Sequence, residues 1–393
     1  MTDLERLIAT TVAGASLSAI KEMAMRAARL PDVASLSWGL PSFRTPDHIR
    51  EAVRTALSED PDIGKYALPD GLPALREQVV ETHFGKTGRR VSANDNVFIT
   101  AGNMQGMSSV LTALIEPGDE IVLTDPGFAS HCQQVRLRGG VPVYWPLDEA
   151  DGWRLNLPAL SARLTDRSKA IVLVNPLNPT GTVFDREALE ALGRLVVERD
   201  LLLILDDPYS ELVFDDPGSC WNPASEPAFA EHVAYLFTFS KIHAMSGWRL
   251  GYMIVPGWLR QSVLKVHDAN LICTPRISQV AGIAALAGAQ AHVAEFRTIL
   301  DRRRVLICER LDALPHVFRY TRPAGAYYVF PRIVAAHEDS WSFALGLLDE
   351  ARVAVTPGIA FGPASDHHVR LAFCVSEDEI NRAFDRLENR FPA

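Results

Sequence analysis

Lys241 stands at the end of an apolar run, and Arg249 follows it closely: Tyr235-Leu-Phe-Thr-Phe-Ser-Lys-Ile-His-Ala-Met-Ser-Gly-Trp-Arg-Leu-Gly-Tyr252. An ammonium at the mouth of a buried strand loses hydration. Its pKa falls, and the freed amine becomes a nucleophile toward carbonyl groups. Arg249 offers a planar fork of donors to an anion nearby. A lone strand-end lysine more often snorkels to solvent, so the reading depends on what else the chain brings to the same place.

Four further residues fall just past apolar strand-like runs. Val97-Phe-Ile-Thr100 leads into Ala101-Gly-Asn-Met-Gln-Gly106, which opens a helix running to about Leu114. A glycine turn at a helix N-terminus presents free N–H groups to a phosphate, although many helices begin this way. Phe128 follows the run Glu120–Thr124, Asn178 lies in Asn175-Pro-Leu-Asn-Pro-Thr-Gly181, and Asp206 ends the aliphatic run Leu201–Leu205. Taken singly, these residues read as a core aromatic, a turn and a strand-end carboxylate. Together with Gly102 and Lys241 they come from five successive strand–helix units. In parallel α/β sheets ligands bind beyond the carboxyl ends of the strands, so all five share one rim.

The lysine run and Asn175–Gly181 together resemble the class I/II aminotransferases, pyridoxal-phosphate (PLP) enzymes of fold type I. The likeness spans roughly residues 35–375. It implies PLP as cofactor, held by Lys241 as an internal aldimine. It assigns Asp206 to the pyridinium nitrogen, Tyr209 to the 3′-oxygen, Phe128 to the ring face and Asn178 to both the 3′-oxygen and the substrate carboxylate. Gly102, Asn103 and Met104 would cradle the phosphate, the latter two mainly through their backbone, with Thr238, Ser240 and Arg249 completing the cradle. Tyr66, in Tyr66-x3-Asp-Gly-x3-Leu-Arg76, would reach the phosphate of the neighbouring subunit, which implies a homodimer. Gly39, in Gly39-Leu-Pro-Ser-Phe-Arg-Thr-Pro46, would approach the substrate. Arg370, inside the apolar run His368–Phe373, would clamp the substrate α-carboxylate; the competing reading is a buried structural ion pair. The resemblance also implies a cis Asn178–Pro179 bond. Trp38 departs from the small or polar residue usual there, and Asp207 replaces the more frequent Glu. His243 replaces a frequent aromatic and reads more readily as a structural histidine.

The implied fold is α/β. A large domain at 47–280 carries a mostly parallel seven-stranded sheet, and 1–46 with 281–393 form a smaller α+β domain, as 393 residues lead one to expect. The implied reaction moves the amino group of an L-amino acid to a 2-oxo acid by a ping-pong route. The alternative is a PLP-dependent carbon–sulfur β-lyase of the cystathionine-lyase type, which makes the same carbanion and gives it a different fate. Dicarboxylate-specific relatives draw a second arginine from the stretch equivalent to 267–275. None occurs here, although Arg276 is adjacent, so a neutral or aromatic donor is expected, with Trp38 and His243 as pocket candidates.

A net charge of −9 gives no footprint for nucleic acid. Five scattered cysteines lack metal-ligand spacing and fit free thiols in a reducing cytoplasm. No metal site, signal-peptide pattern or membrane-length apolar run is read. Residues 1–30 read as one or two helices with Ile20, Met23, Met25, Ala28 and Leu30 toward the core. Residues 278–313 read as a long helical pattern with Arg302–Arg304 on a solvated face.

Overall fold

The computed structural model describes residues 4–15 and 17–392. Seven strands form the central sheet: β1 (Val97–Thr100), β2 (Glu120–Asp125), β3 (Val141–Pro146), β4 (Ser168–Val174), β5 (Leu202–Asp207), β6 (Val233–Thr238) and β7 (Gly251–Ile254). Their order is β1-β7-β6-β5-β4-β2-β3. All neighbouring pairs are parallel except the two made by β7. Every residue of β2, β5 and β6 is buried. That explains their unbroken apolar runs, since a parallel sheet is covered on both faces. β3 is the exception, an edge strand holding Pro142 and Pro146 and only partly buried; an edge tolerates the missing N–H groups.

The covering helices take their directions from apolar spacing. Helix α1 (Ala19–Ala27) buries Ile20, Met23 and Ala27, the one-face period of a helix. Met25, expected in the core, is 50% exposed, and Ala28 is exposed as well. Both lie off the face defined by Ile20 and Met23. Helix α2 (Asn103–Leu114) follows β1, α3 (Ala129–Arg136) follows β2, and α4 (Arg186–Glu198) precedes β5. Helix α5 (Gly257–Leu271), for which the sequence gives no expectation, follows β7. The long pattern at 278–313 divides into α6 (Arg276–Ala287) and α7 (Ala291–Asp312). The break falls at Gly288, where a Cβ would meet the Ala284 carbonyl and His48 at 2.6 Å.

The arginine run on α7 does not share one solvated face. Successive helical residues point about 100° apart. Arg302 is exposed, but Arg304 is buried and pairs with Asp215 and Asp301, both at 2.7 Å. Arg303, also buried, donates to Ser42 Oγ at 3.0 Å and to the Cys374 carbonyl at 3.2 Å.

Beyond α7 lies a three-stranded antiparallel sheet of β8 (Tyr328–Val329), β9 (Thr356–Pro357) and β10 (Val369–Ala372), ordered β8-β10-β9. Ala34 and Ser35 pair in parallel with Val353 and Ala354. This pairing anchors the segment leading to Trp38 and Gly39 against the C-terminal part. Contacts at the strand ends join that part to the central sheet. Asp125 accepts from Ala364 N at 3.0 Å and from Ser365 Oγ at 3.2 Å. Glu149 accepts from Arg332 at 2.6 Å and faces His368 at 3.2 Å.

Candidate active site

A crevice of about 260 Å³ opens over the carboxyl ends of β4, β5 and β6. Its walls include Gly39, Asn103, Met104, Phe128, Asn178, Asp206, Tyr209, Thr238, Ser240, Lys241, Arg249 and Arg370. Residues separated by more than 300 positions in the sequence therefore share one cavity. Gly102 adjoins it through Arg249. Tyr66 does not line it; the side chain is 76% exposed.

Lys241 follows β6 and Ser240. Its Nζ donates to the Gly39 carbonyl at 3.0 Å, and Tyr327 Oη donates to the same oxygen at 3.2 Å. The loop behind it is tied down: Thr45 Oγ1 donates to the Ala244 carbonyl at 2.7 Å, and Trp248 Nε1 donates to Thr45 at 3.1 Å. Burial lowers the Lys241 pKa to about 8, with the charges of Arg370 and Arg249 acting in the same direction. Asp206 opposes them, as would a Cys374 thiolate. Burial holds the Cys374 thiol up at about 12, however, so at neutral pH that opposition is absent. The free amine is thus far more accessible near neutrality than that of an exposed lysine.

Asp206 is buried with both oxygens engaged. Asn103 Nδ2 donates to Oδ1 at 2.6 Å, and His131 Nε2 lies 3.1 Å from Oδ2. The sequence reading gave Asn103 a mainly backbone contribution; its side chain also holds this carboxylate. His131 is a site residue that the sequence does not single out. The one available signal is its place on α3, one turn past Phe128, whose ring it meets edge-on at 5.3 Å.

Arg370 is 2% exposed. Its Nη1 donates to Asn178 Oδ1 at 3.1 Å and its Nη2 to the Ser37 carbonyl at 2.6 Å. Among the described residues it has no carboxylate partner, and its Nε has no acceptor. A structural ion pair does not account for it. A desolvated guanidinium with an unused donor is a receptor for an incoming anion. Asn178–Pro179 is cis, as expected, and so are Asn175–Pro176 and Asp125–Pro126.

The opposite end of the crevice has the features of an anion cradle. Gly102 adopts φ +78° and ψ 169° as N-cap of α2, and a Cβ there would meet Arg249 Nη2 at 2.9 Å. The α2 N-terminus, the Thr238 and Ser240 hydroxyls and Arg249 thus converge. Tyr209 Oη lies 3.0 Å from Tyr328 Oη; burial raises the Tyr209 pKa, with Tyr328 adding to the shift. A Cβ on Gly39 would collide with the Tyr328 hydroxyl, so only glycine lets that backbone come so close.

Trp38 lines the crevice and is 50% exposed. His243 does not line it: its Nδ1 lies 2.9 Å from His292 Nε2, and burial lowers its pKa to about 3. It is a structural histidine. Arg276 is taken up by Asp60 at 3.2 Å.

This donor set fits a phosphorylated pyridine aldehyde. The set comprises an anion cradle, a buried carboxylate suited to a protonated ring nitrogen, an aromatic wall, a tyrosine hydroxyl and an amine of lowered pKa. The glycine-only approach of Gly102 to Arg249 is the observation that decides it.

The family profile "Aminotransferase class I and II" matches residues 31–387. The aspartate aminotransferase of Pyrococcus abyssi is 35% identical over 94% of this chain and 95% of its own length. Aromatic-amino-acid aminotransferase 2 of Thermococcus litoralis is 32% identical, with coverage of 94% and 95%. The solved aspartate aminotransferase of Thermus thermophilus with maleate superposes with a TM-score of 0.91 at 33% identity. It covers 97% of this chain and 99% of that one.

Proposed function

The chain belongs to the class I and II aminotransferases, and we propose that it runs their reaction with Lys241 as the mobile base and Arg370 as the carboxylate clamp. The protein is a fold-type I, PLP-dependent transferase that moves an amino group from an amino acid to a 2-oxo acid. The β-lyase alternative finds no support among relatives that are named aminotransferases.

When bound, PLP supplies an electron sink for the pair left at Cα once its proton is removed. The residues of this chain do the rest. Gly102, Thr238, Ser240 and Arg249 would hold the phosphate, with the backbone of Asn103 and Met104. Phe128 would wall the ring, while Tyr209 and Asn178 would meet the 3′-oxygen. Asp206, fixed by Asn103 and His131, would keep the ring nitrogen protonated. Arg370 and Asn178 would orient the substrate through its α-carboxylate, beside Gly39. Lys241 would hold the cofactor aldehyde, and its Nζ, once free, would act as the base that takes the Cα proton of the donor and returns a proton. Because one site serves donor and acceptor in turn, the kinetics are ping-pong.

We further propose a homodimer in which the exposed Tyr66 reaches the neighbouring phosphate. The cofactor-binding domain would be 47–280, with 1–46 and 281–393 as the second. The five free cysteines fit a cytoplasmic setting. Relatives named for aspartate and for aromatic amino acids bracket the donor.

The observation that carries this reading is the buried, carboxylate-free Arg370 in one crevice with Lys241. Arg370→Met should lower kcat/KM for all donors by roughly thirtyfold or more, the cost of losing a buried charged partner. An unchanged kcat/KM would refute the clamp.

A further inference from the structure

Four side-chain cations line the crevice among the described residues: Lys21, Lys241, Arg249 and Arg370. Three have assigned tasks, namely proton transfer, phosphate and α-carboxylate. Lys21 is left over. It projects from α1, and its Nζ lies 5.0 Å from the centre of the Trp38 ring. No carboxylate pairs with it among the described residues. The acid beside it, Glu22, is instead engaged by Arg26 at 2.9 Å.

We propose that Lys21, held on the face of Trp38, is the specificity-determining cation that receives the distal carboxylate of an acidic amino-acid donor. The proposal rests on the reading of Arg370 as the α-carboxylate clamp. Three observations carry it. Trp38 directly precedes Gly39, whose carbonyl takes the Lys241 ammonium, so the platform abuts the reacting end of the crevice. The wall residues flanking Lys21 in the chain are Ser18 and Ile20, so Lys21 is the one charged group that this stretch offers a distal anion. Arg276, the cation that the sequence placed next to the usual position, is committed to Asp60. The indole face holds the ammonium by cation–π attraction without neutralising it, so a carboxylate can take it over. The proposal departs from the expectation of a neutral or aromatic donor, which follows from the lack of an arginine at 267–275.

Succinate and butyrate have the same chain length and differ in one carboxylate. Binding of each to the holoenzyme is measured by titration calorimetry for wild type, Lys21→Met, Lys21→Arg and Arg370→Met. Lys21→Met should weaken succinate on the order of tenfold, the scale of a lost charged hydrogen bond, and leave butyrate in place. Lys21→Arg should restore most of the succinate affinity. If Lys21→Met binds succinate like wild type while Arg370→Met loses both ligands, the distal assignment is wrong and the clamp stands. If Arg370→Met keeps both ligands, the clamp reading itself fails, and this proposal fails with it.

Discussion

Gly102→Ala is the sharpest structural test of the anion cradle. Gly102 holds φ +78° and ψ 169°, a region essentially closed to residues with a Cβ, where occupancy costs about 1–3 kcal/mol. This strain is present with and without cofactor, so it should appear as lowered stability of the apo-protein. A second effect is separate. The new methyl group would meet Arg249 Nη2 at 2.9 Å, and the guanidinium would have to swing away. A lost charge-assisted hydrogen bond is worth about 1.5–3 kcal/mol, so PLP affinity should fall at least tenfold, roughly. Equilibrium titration with PLP and with pyridoxal, which lacks the phosphate, separates the two effects. The variant should lose affinity for PLP and little for pyridoxal, while thermal melting of the apo-protein reports the strain. Equal PLP affinity in variant and wild type would refute the cradle, as would an equal loss for both ligands.

Two further outcomes follow from the charges around Lys241 and Asp206. The reaction of apo-protein with PLP should accelerate as pH rises through about 8, where the Lys241 amine loses its proton. Arg370→Met removes a positive charge that lowers this pKa, so the midpoint should move up; a stationary midpoint would contradict the coupling. Asp206→Asn keeps the volume and a carbonyl acceptor for Asn103 but removes the charge. It should slow amino-group transfer roughly 10²–10³-fold, as loss of a preorganised electrostatic partner does, with the melting temperature little changed. Transfer at the wild-type rate would remove Asp206 from the chemistry.

The sequence shows the central sheet because every strand except the proline-bearing edge strand β3 is an almost unbroken apolar run, the pattern of a strand covered on both faces. It also shows the rim, because strand-end residues of such a sheet converge by topology alone. Three things lie beyond its reach. The Asn103–Asp206–His131 contacts join side chains from separate elements, and no spacing rule links positions 103, 131 and 206. The burial of Arg303 and Arg304 depends on what packs against α7, namely Asp215, Ser42 and the chain at Cys374. The Lys21–Trp38 contact joins a helix to a loop whose meeting depends on the pairing of Ala34–Ser35 with Val353–Ala354. The Gly288 break is of another kind. A glycine within an apolar helical pattern is tolerated often enough that the pattern alone does not mark it as a stop.

The most direct measurement mixes PLP-loaded protein with one amino acid and no 2-oxo acid, for wild type and Lys241→Ala. Absorption of the cofactor and release of 2-oxo acid are followed together. The account predicts a stoichiometric burst of 2-oxo acid from wild type, with conversion of PLP to its aminated form, and no burst from Lys241→Ala. A Lys241→Ala burst at the wild-type rate would contradict the assignment of Lys241. Continuous 2-oxo acid production by wild type, without conversion of the cofactor, would contradict amino-group transfer itself.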